Sequence, residues 1–358
     1  MQTDMHYYGT YALARAAGIK PDHAKNIATA SQFVDDSKTL SQAIADGSYI
    51  DYRATAHGTS IKLPEIGDTS MNLDIEDQRH VWLPFHFLPG GSGDSLPAKL
   101  ICQMDSAIAQ EMVAHNLSLA AQPYGGLLIG ITAHVYADTF SHYGFSGISS
   151  SLNEVADDSF DLHVQDQGVL GYIKQKADDF LEEGQARAAD LLKLGHGGAA
   201  TFPDRPYLTW SFKYADGRES GVRNNPETFL LACEKLHAMF VEFSKTANGF
   251  YSQGDGRNFA DISDAIRNVL SVEGAMDARV AAWQAAAAAE TVFSNPTKGQ
   301  IPEYDSSDFE NDAQSLPGLS SAQVKNTFVY VFMKAANTHR QYVLHELLPA
   351  HGIDVVIP

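Results

Sequence analysis

Residues 125–147 read GGLLIGITAHVYADTFSHYGFSG. At about 100° of rotation per helical residue, His134, Asp138 and His142 drift only ~80° around the axis and line one stripe. Gly126 and Gly130 continue that stripe toward the start of the segment. A glycine inside a helix costs about 1 kcal/mol relative to alanine. Its placement here predicts a second element packed closely against the helix. Two imidazoles and a carboxylate in phase can hold one hard-to-borderline cation, or bridge two. Buried without a cation, they would leave charge and hydrogen-bonding capacity unsatisfied, at a cost of several kcal/mol. On a surface helix the same residues would simply be solvated.

Working outward, helical periodicity dominates and no internal repeat is visible. Helices are predicted over 4–17, stopping at Gly18, and from Pro21, with Ile27, Ser31 and Asp35 on one face. Further helices are expected over 97–116, 124–143, 169–194, 226–247, 258–270, 273–291 and 320–348. The stretch 48–93 holds IKLPEIGD and VWLPFHFLPGGSGD and reads as loops and short strands. Residues 293–319, rich in Pro, Ser, Asp and Gly, read as a surface loop or linker. The expectation is an all-α, mainly helical chain forming a single domain over 1–358.

Composition narrows the chemistry. The 358 residues are 44% hydrophobic and 19% charged, which is ordinary for a globular protein. Lysine plus arginine total 25 against 44 acidic residues, a net charge of −19. Such a surface repels a polyanion, so duplex nucleic acid is excluded as a partner and a small substrate is expected. The two cysteines, Cys102 and Cys233, form no CxxC pair, which argues against a thiolate zinc site. A cage must use histidine and carboxylate. The amino terminus has no basic stretch followed by an apolar core, and YGGLLIGITAHVYA is too short to span a bilayer. No transmembrane segment and a cytoplasmic location are expected, though non-classical export would leave no mark.

Other candidate ligands lie far from this segment in sequence. His6 sits on the first predicted helix. Asp35 and Asp36 end the second, with Asp35 on the inward face and Asp36 nearer solvent. His86 lies in PFHFLPGG; His80 beside Arg79 is expected to be more exposed. His196 opens GHGGAATFPD, where flanking glycines can present an imidazole without crowding, and Asp204 follows eight residues on. His339, His345 and Glu346 on the last helix are expected on a solvated face.

The stretches MHYYGTYALARAAGI, ATASQFVDD, HFLPGG, AHVYADTFSHYGFSG and GHGGAATFPDRPYLTW together resemble a full-length bacterial family of unknown function. That family is in turn similar to the zinc-dependent phospholipase C and single-strand nuclease superfamily. This resemblance implies a multi-helix bundle with long loops, holding a cluster of two or three zinc ions. By ligand order it implies that His6, Asp35, His86, His134, Asp138, His142, His196 and Asp204 bind metal, with Asp138 bridging. Asp36 is a further candidate. The superfamily also uses the free amine of an amino-terminal tryptophan. This chain begins MQTDMH, so that ligand is expected to be missing and one metal position altered.

The activity this implies is metal-assisted hydrolysis of a phospholipid head group or small phosphodiester. Asp138 would be the central carboxylate, and Arg205 would hold the anionic substrate. Two other readings stay open: an iron- or manganese-dependent enzyme in a helical bundle, and a non-catalytic, metal-stabilised interaction protein.

Overall fold

The computed structural model describes residues 1–56, 75–156, 158–187, 193–246, 249–254, 256–295 and 299–356. The chain opens on a π-helical turn, Asp4–Gly9, followed by α1 (Thr10–Ala16) and α2 (Pro21–Asp36). A hairpin, β1 (Leu40–Ala43) and β2 (Tyr49–Tyr52), pairs antiparallel with Leu40 opposite Tyr52. α3 (Ile75–Asp77) runs into a second π-helical stretch, Gln78–His86. Then come α4 (Leu96–Lys99), α5 (Ala107–Ser118) and α6 (Gly125–Ser141). β3 (Asp161–His163), β4 (Thr209–Ser211) and β5 (Arg223–Asn224) form a small antiparallel sheet in that order, with α7 (Gln167–Arg187) between β3 and β4. The rest is helical: α8 (Asn225–Lys245), α9 (Phe259–Leu270), α10 (Met276–Ala288), α11 (Ser307–Ser315), α12 (Ser321–Val324), α13 (Phe328–Tyr342) and α14 (Leu348–Ala350). The chain is thus mostly helical with two small sheets. No helix among the described residues is long and apolar enough to cross a membrane.

α6 is the central element. Every residue from Leu127 to Ser141 is buried, and α2, α5, α8 and α13 pack around it. A helix surrounded this way must be apolar on most of its surface, and this one is, apart from the His–Asp stripe and the hydrogen-bonded hydroxyls of Thr132, Thr139 and Ser141. The close approach predicted from the glycines is found at Gly130. A Cβ there would lie 2.4 Å from the Ile27 carbonyl oxygen and 2.7 Å from the Ala30 Cβ, both on α2. At Gly126 a Cβ would meet only Tyr251, at an ordinary 3.8 Å.

Apolar side chains gather into two clusters. The larger is built by the helices around α6. The smaller is aromatic, with Trp82, Phe87, Phe145, Trp210 and Phe212 around the three-stranded sheet. The stretch 78–86 feeds both, Leu83 and Phe85 into the first and Val81 and Trp82 into the second.

Four sequence expectations are corrected. The helix expected over 97–116 is broken between α4 and α5. There Asp105 takes a positive φ of 49° and Ser106 caps α5 by accepting from the Ala109 amide. Within 48–93, residues 78–86 are helical rather than loop or strand; IKLPEIGD lies outside the described residues. The wider π turn suits Pro84: the Phe87 amide donates to the Trp82 carbonyl, five residues back. The expected loop 293–319 contains α11, which buries Phe309 stacked on Phe33 at 4.0 Å. The expected helix 320–348 is interrupted before α13, whose first turn is capped by Thr327. Of the helix expected over 169–194, residues 188–192 lie outside the described residues.

Candidate metal centre

Asp138 is 1% exposed and stands at the middle of the centre. Its two oxygens face different groups. Oδ1 is 2.5 Å from the Met1 α-amine and 3.2 Å from His6 Nε2. Oδ2 is 3.3 Å from His134 Nε2 and 3.6 Å from both His86 Nδ1 and His142 Nδ1. A carboxylate with imidazoles on both oxygens is disposed as a bridge.

Four imidazoles are each anchored to a backbone carbonyl. His134 Nδ1 donates to Ser31 O at 2.8 Å, and His86 Nε2 to Thr55 O at 2.7 Å. His142 Nδ1 donates to the His86 carbonyl and His196 Nδ1 to the Ala200 carbonyl, both at 2.7 Å. A carbonyl oxygen only accepts, so each of these nitrogens carries the hydrogen. In the neutral ring the other nitrogen then presents its lone pair. This is the support that metal-binding histidines ordinarily receive.

The consequence is a conflict that something positive must resolve. His86 Nδ1 and His134 Nε2 face each other at 3.3 Å, two lone pairs within contact distance. A proton on one ring or a cation between them removes the repulsion. Asp35 Oδ1 lies 3.8 Å from each of the same nitrogens. His6 stacks on His134 with centroids 3.8 Å apart. Although His6 Nε2 is near Asp138, it is off the hydrogen-bonding direction, and both His6 nitrogens are buried without a hydrogen-bond partner among the described residues. Orphaned ring nitrogens of this kind suit a ligand role.

A second pole lies beyond Asp138. His142 Nε2 is 3.1 Å from Asp204 Oδ1, and His196 Nε2 is 3.5 Å from Asp204 Oδ2. Ser141 Oγ donates to Asp204 Oδ1 at 2.8 Å, and Phe87 stacks on the His142 ring at 4.6 Å. Ligand atoms fall into three sets that could each hold an ion: His6, His134 and Asp138; Asp35, His86 and His134; His142, His196 and Asp204. His134 is shared by two of them.

The electrostatics match. Burial alone would raise the Asp138 carboxyl, but His142, the amine, His134 and His6 outweigh it and hold it well below the usual range. Asp204 is likewise held well below, by the amine and by His196 and His142 against its burial. Burial lowers His6 and His196, each to about 4, and lowers His86. His134 moves the other way, because Asp138 and Asp35 overcome its burial.

Eight of the nine metal ligands expected from sequence therefore converge: His6, Asp35, His86, His134, Asp138, His142, His196 and Asp204. Asp36 does not. It is exposed, and its Oδ2 accepts from Tyr304 Oη at 2.5 Å, because one residue further along α2 turns the side chain about 100° away. Arg205 is buried beside Asp204, but its guanidinium donates to Thr201 Oγ1 and Tyr207 Oη and lies over the Tyr172 ring. His339, expected on a solvated face, is fully buried and donates from Nε2 to Pro84 O at 2.7 Å. His80 is half-buried rather than exposed.

The amino terminus also reaches the centre. The Met1 α-amine lies 2.5 Å from Asp138 Oδ1, 3.2 Å from Asp204 Oδ1 and 3.4 Å from His142 Nε2. Burial would lower it, but the two aspartates raise it to about 11. The sequence reading missed this contact because a backbone amine has no side-chain signature. Ser141 was also missed: a serine inside an apolar helix carries no sequence signal for bonding a carboxylate 63 residues away.

No curated protein and no solved structure matches the chain. The sequence pattern of one family does match, and it spans residues 1–347. The chain belongs to that family, described as a family of unknown function (DUF6765).

Proposed function

We propose that this protein is a zinc-dependent phosphoester hydrolase similar to the phospholipase C and single-strand nuclease superfamily, acting on a phospholipid head group or small phosphodiester. The observation that carries the reading is the set of four imidazoles anchored through N–H to backbone carbonyls, with their remaining nitrogens converging on three aspartates. Such donors suit zinc. Bound ions would supply an acidified water as nucleophile and neutralise phosphoryl charge.

The chain's own residues have separable roles. Asp138 links the poles of the centre, and Ser141 fixes the orientation of Asp204. Asp35 and His196 are the most accessible members, their side chains 20% and 18% exposed. In this reading water and a small substrate approach over these two edges, as a catalytic rather than a closed structural site requires. Arg205, whose Nε makes no hydrogen bond among the described residues, is the candidate grip for a substrate anion. The net charge of −19 selects against long nucleic acid.

Element analysis of protein purified without added metal, followed by assays on phosphodiester, phosphomonoester and lipid panels, tests the proposal. Two or three zinc ions per chain, with activity lost in chelator and restored by zinc, is the expected result. Full activity in chelator would overturn it. Iron or manganese would point instead to the bundle-enzyme reading, since histidine with carboxylate suits those ions too.

A further inference from the structure

We propose that Arg223 and Asn225, at the junction of β5 and α8, form a clamp that positions the His142, His196 and Asp204 set as a metal subsite; this rests on the metal reading above. Both residues are 2% exposed and both lie far from the ligands in sequence. Each grips the backbone on either side of a ligand. Arg223 Nη2 donates to Ser141 O at 2.9 Å and Nη1 to Tyr143 O at 2.8 Å, so the guanidinium brackets His142. Asn225 Nδ2 donates to Phe202 O at 2.9 Å and Arg205 O at 2.8 Å, and lies 3.5 Å from Pro203 O, so the amide brackets Asp204.

The placement has physical reasons. α6 ends at Ser141, where carbonyls run out of intrahelical donors, and a cation suits that end of the helix dipole. The Arg223 guanidinium stacks over the Tyr143 ring at 3.6 Å and lies 5.0 Å from Trp210. Among the described residues no carboxylate forms an ion pair with it. An arginine this deeply buried and paired only with carbonyls and rings is costly, so a cheaper cap would serve if ending the helix were its only task. Trp210 pairs with Arg223 across the sheet and donates from Nε1 to Asn225 Oδ1 at 3.1 Å, locking the amide with its donors toward the 202–205 turn. The two loops carrying His142 and Asp204 are thereby tied to one three-residue segment, 223–225.

The test compares wild type, Arg223→Lys and Asn225→Ala by zinc content and by competition with a chromophoric zinc chelator. Circular dichroism and thermal melts are recorded alongside. His196→Ala serves as the reference that removes a ligand of the same subsite directly. Lysine keeps the charge and can reach one of the two carbonyls. Both clamp variants are expected to fold and to bind one zinc equivalent about 10- to 100-fold more weakly, the equivalent that His196→Ala also loses, with the remaining zinc held as in wild type. Folded variants with a wild-type chelator profile would overturn the clamp. So would uniform weakening of all equivalents, or failure of both variants to melt cooperatively, which would make the pair ordinary core. Wild-type protein that binds no zinc would overturn the metal reading instead, a result distinct from the others.

Discussion

Of all the contacts in the molecule, the 3.3 Å approach of His86 Nδ1 to His134 Nε2 says most about chemistry, because both hydrogens are already committed to carbonyls. Replacing Asp138 by Asn keeps the volume and removes the bridging charge. Zinc bound by D138N, measured by element analysis, is expected to fall by at least one equivalent per chain, whereas unchanged content would remove Asp138 from the centre. His134→Ala should act twice. It removes a ligand shared by two sets, and it deletes the bond from the imidazole N–H to the Ser31 carbonyl, which keeps its helical partner on α2, a loss of about 0.5–1.5 kcal/mol. Urea unfolding in excess chelator isolates the second effect, since no metal contributes there; equal stability of mutant and wild type in chelator would show that the Ser31 bond carries little. Arg205→Met is expected to raise KM for an anionic substrate several-fold while kcat changes little. A reduced kcat at constant KM would move Arg205 from binding to the chemical step.

At the scale of elements, α6 was legible because spacing alone puts His134, Asp138 and His142 on one face, and burial then converts a stripe into a centre. His86 was legible as a residue but its element was not. A Pro84 inside an apolar run signals a loop, and only the wider π turn, with its bond from Phe87 to Trp82, makes the stretch helical. α11 was hidden for another reason: the polar composition of 307–315 outweighed the single aromatic, Phe309, that anchors it. The clamp residues Arg223 and Asn225 could not be found from sequence at all, since their partners are backbone carbonyls, which have no sequence signature. Gly130 allows a direct test of the α2–α6 contact. By propensity alone Gly130→Ala should stabilise a helix by about 1 kcal/mol. Here the new Cβ would meet the Ile27 carbonyl oxygen at 2.4 Å and α2 must move. The net expectation is destabilisation on the order of 1–3 kcal/mol, read as a lower melting temperature; a higher one would refute the close packing. α2 also carries the Ser31 carbonyl and Asp35, so zinc affinity should fall with it.

Considered whole, the molecule closes its centre between two apolar clusters, and buried histidines outside the centre hold the walls in place. His339 ties α13 to the stretch that carries His86 through its bond to Pro84 O, while Asn116 Nδ2 faces its Nδ1 at 3.2 Å. Asn116 can donate there only to a neutral ring. Burial accordingly lowers His339 to about 4, against about 6.5 in an unfolded chain. Between those values the unfolded chain binds a proton that the folded protein refuses, so stability must fall as pH drops from about 6.5 toward 4 and level off below. The size for this one residue is on the order of 3 kcal/mol. Comparing wild type with His339→Gln cancels the many other groups that titrate in the same window. In chelator, urea unfolding at pH 7 and again near pH 4.5 should show the wild type losing more stability than the variant. If the two lose stability in parallel, His339 does not resist protonation in the fold, and the anchoring of the His86 element must be sought in other contacts.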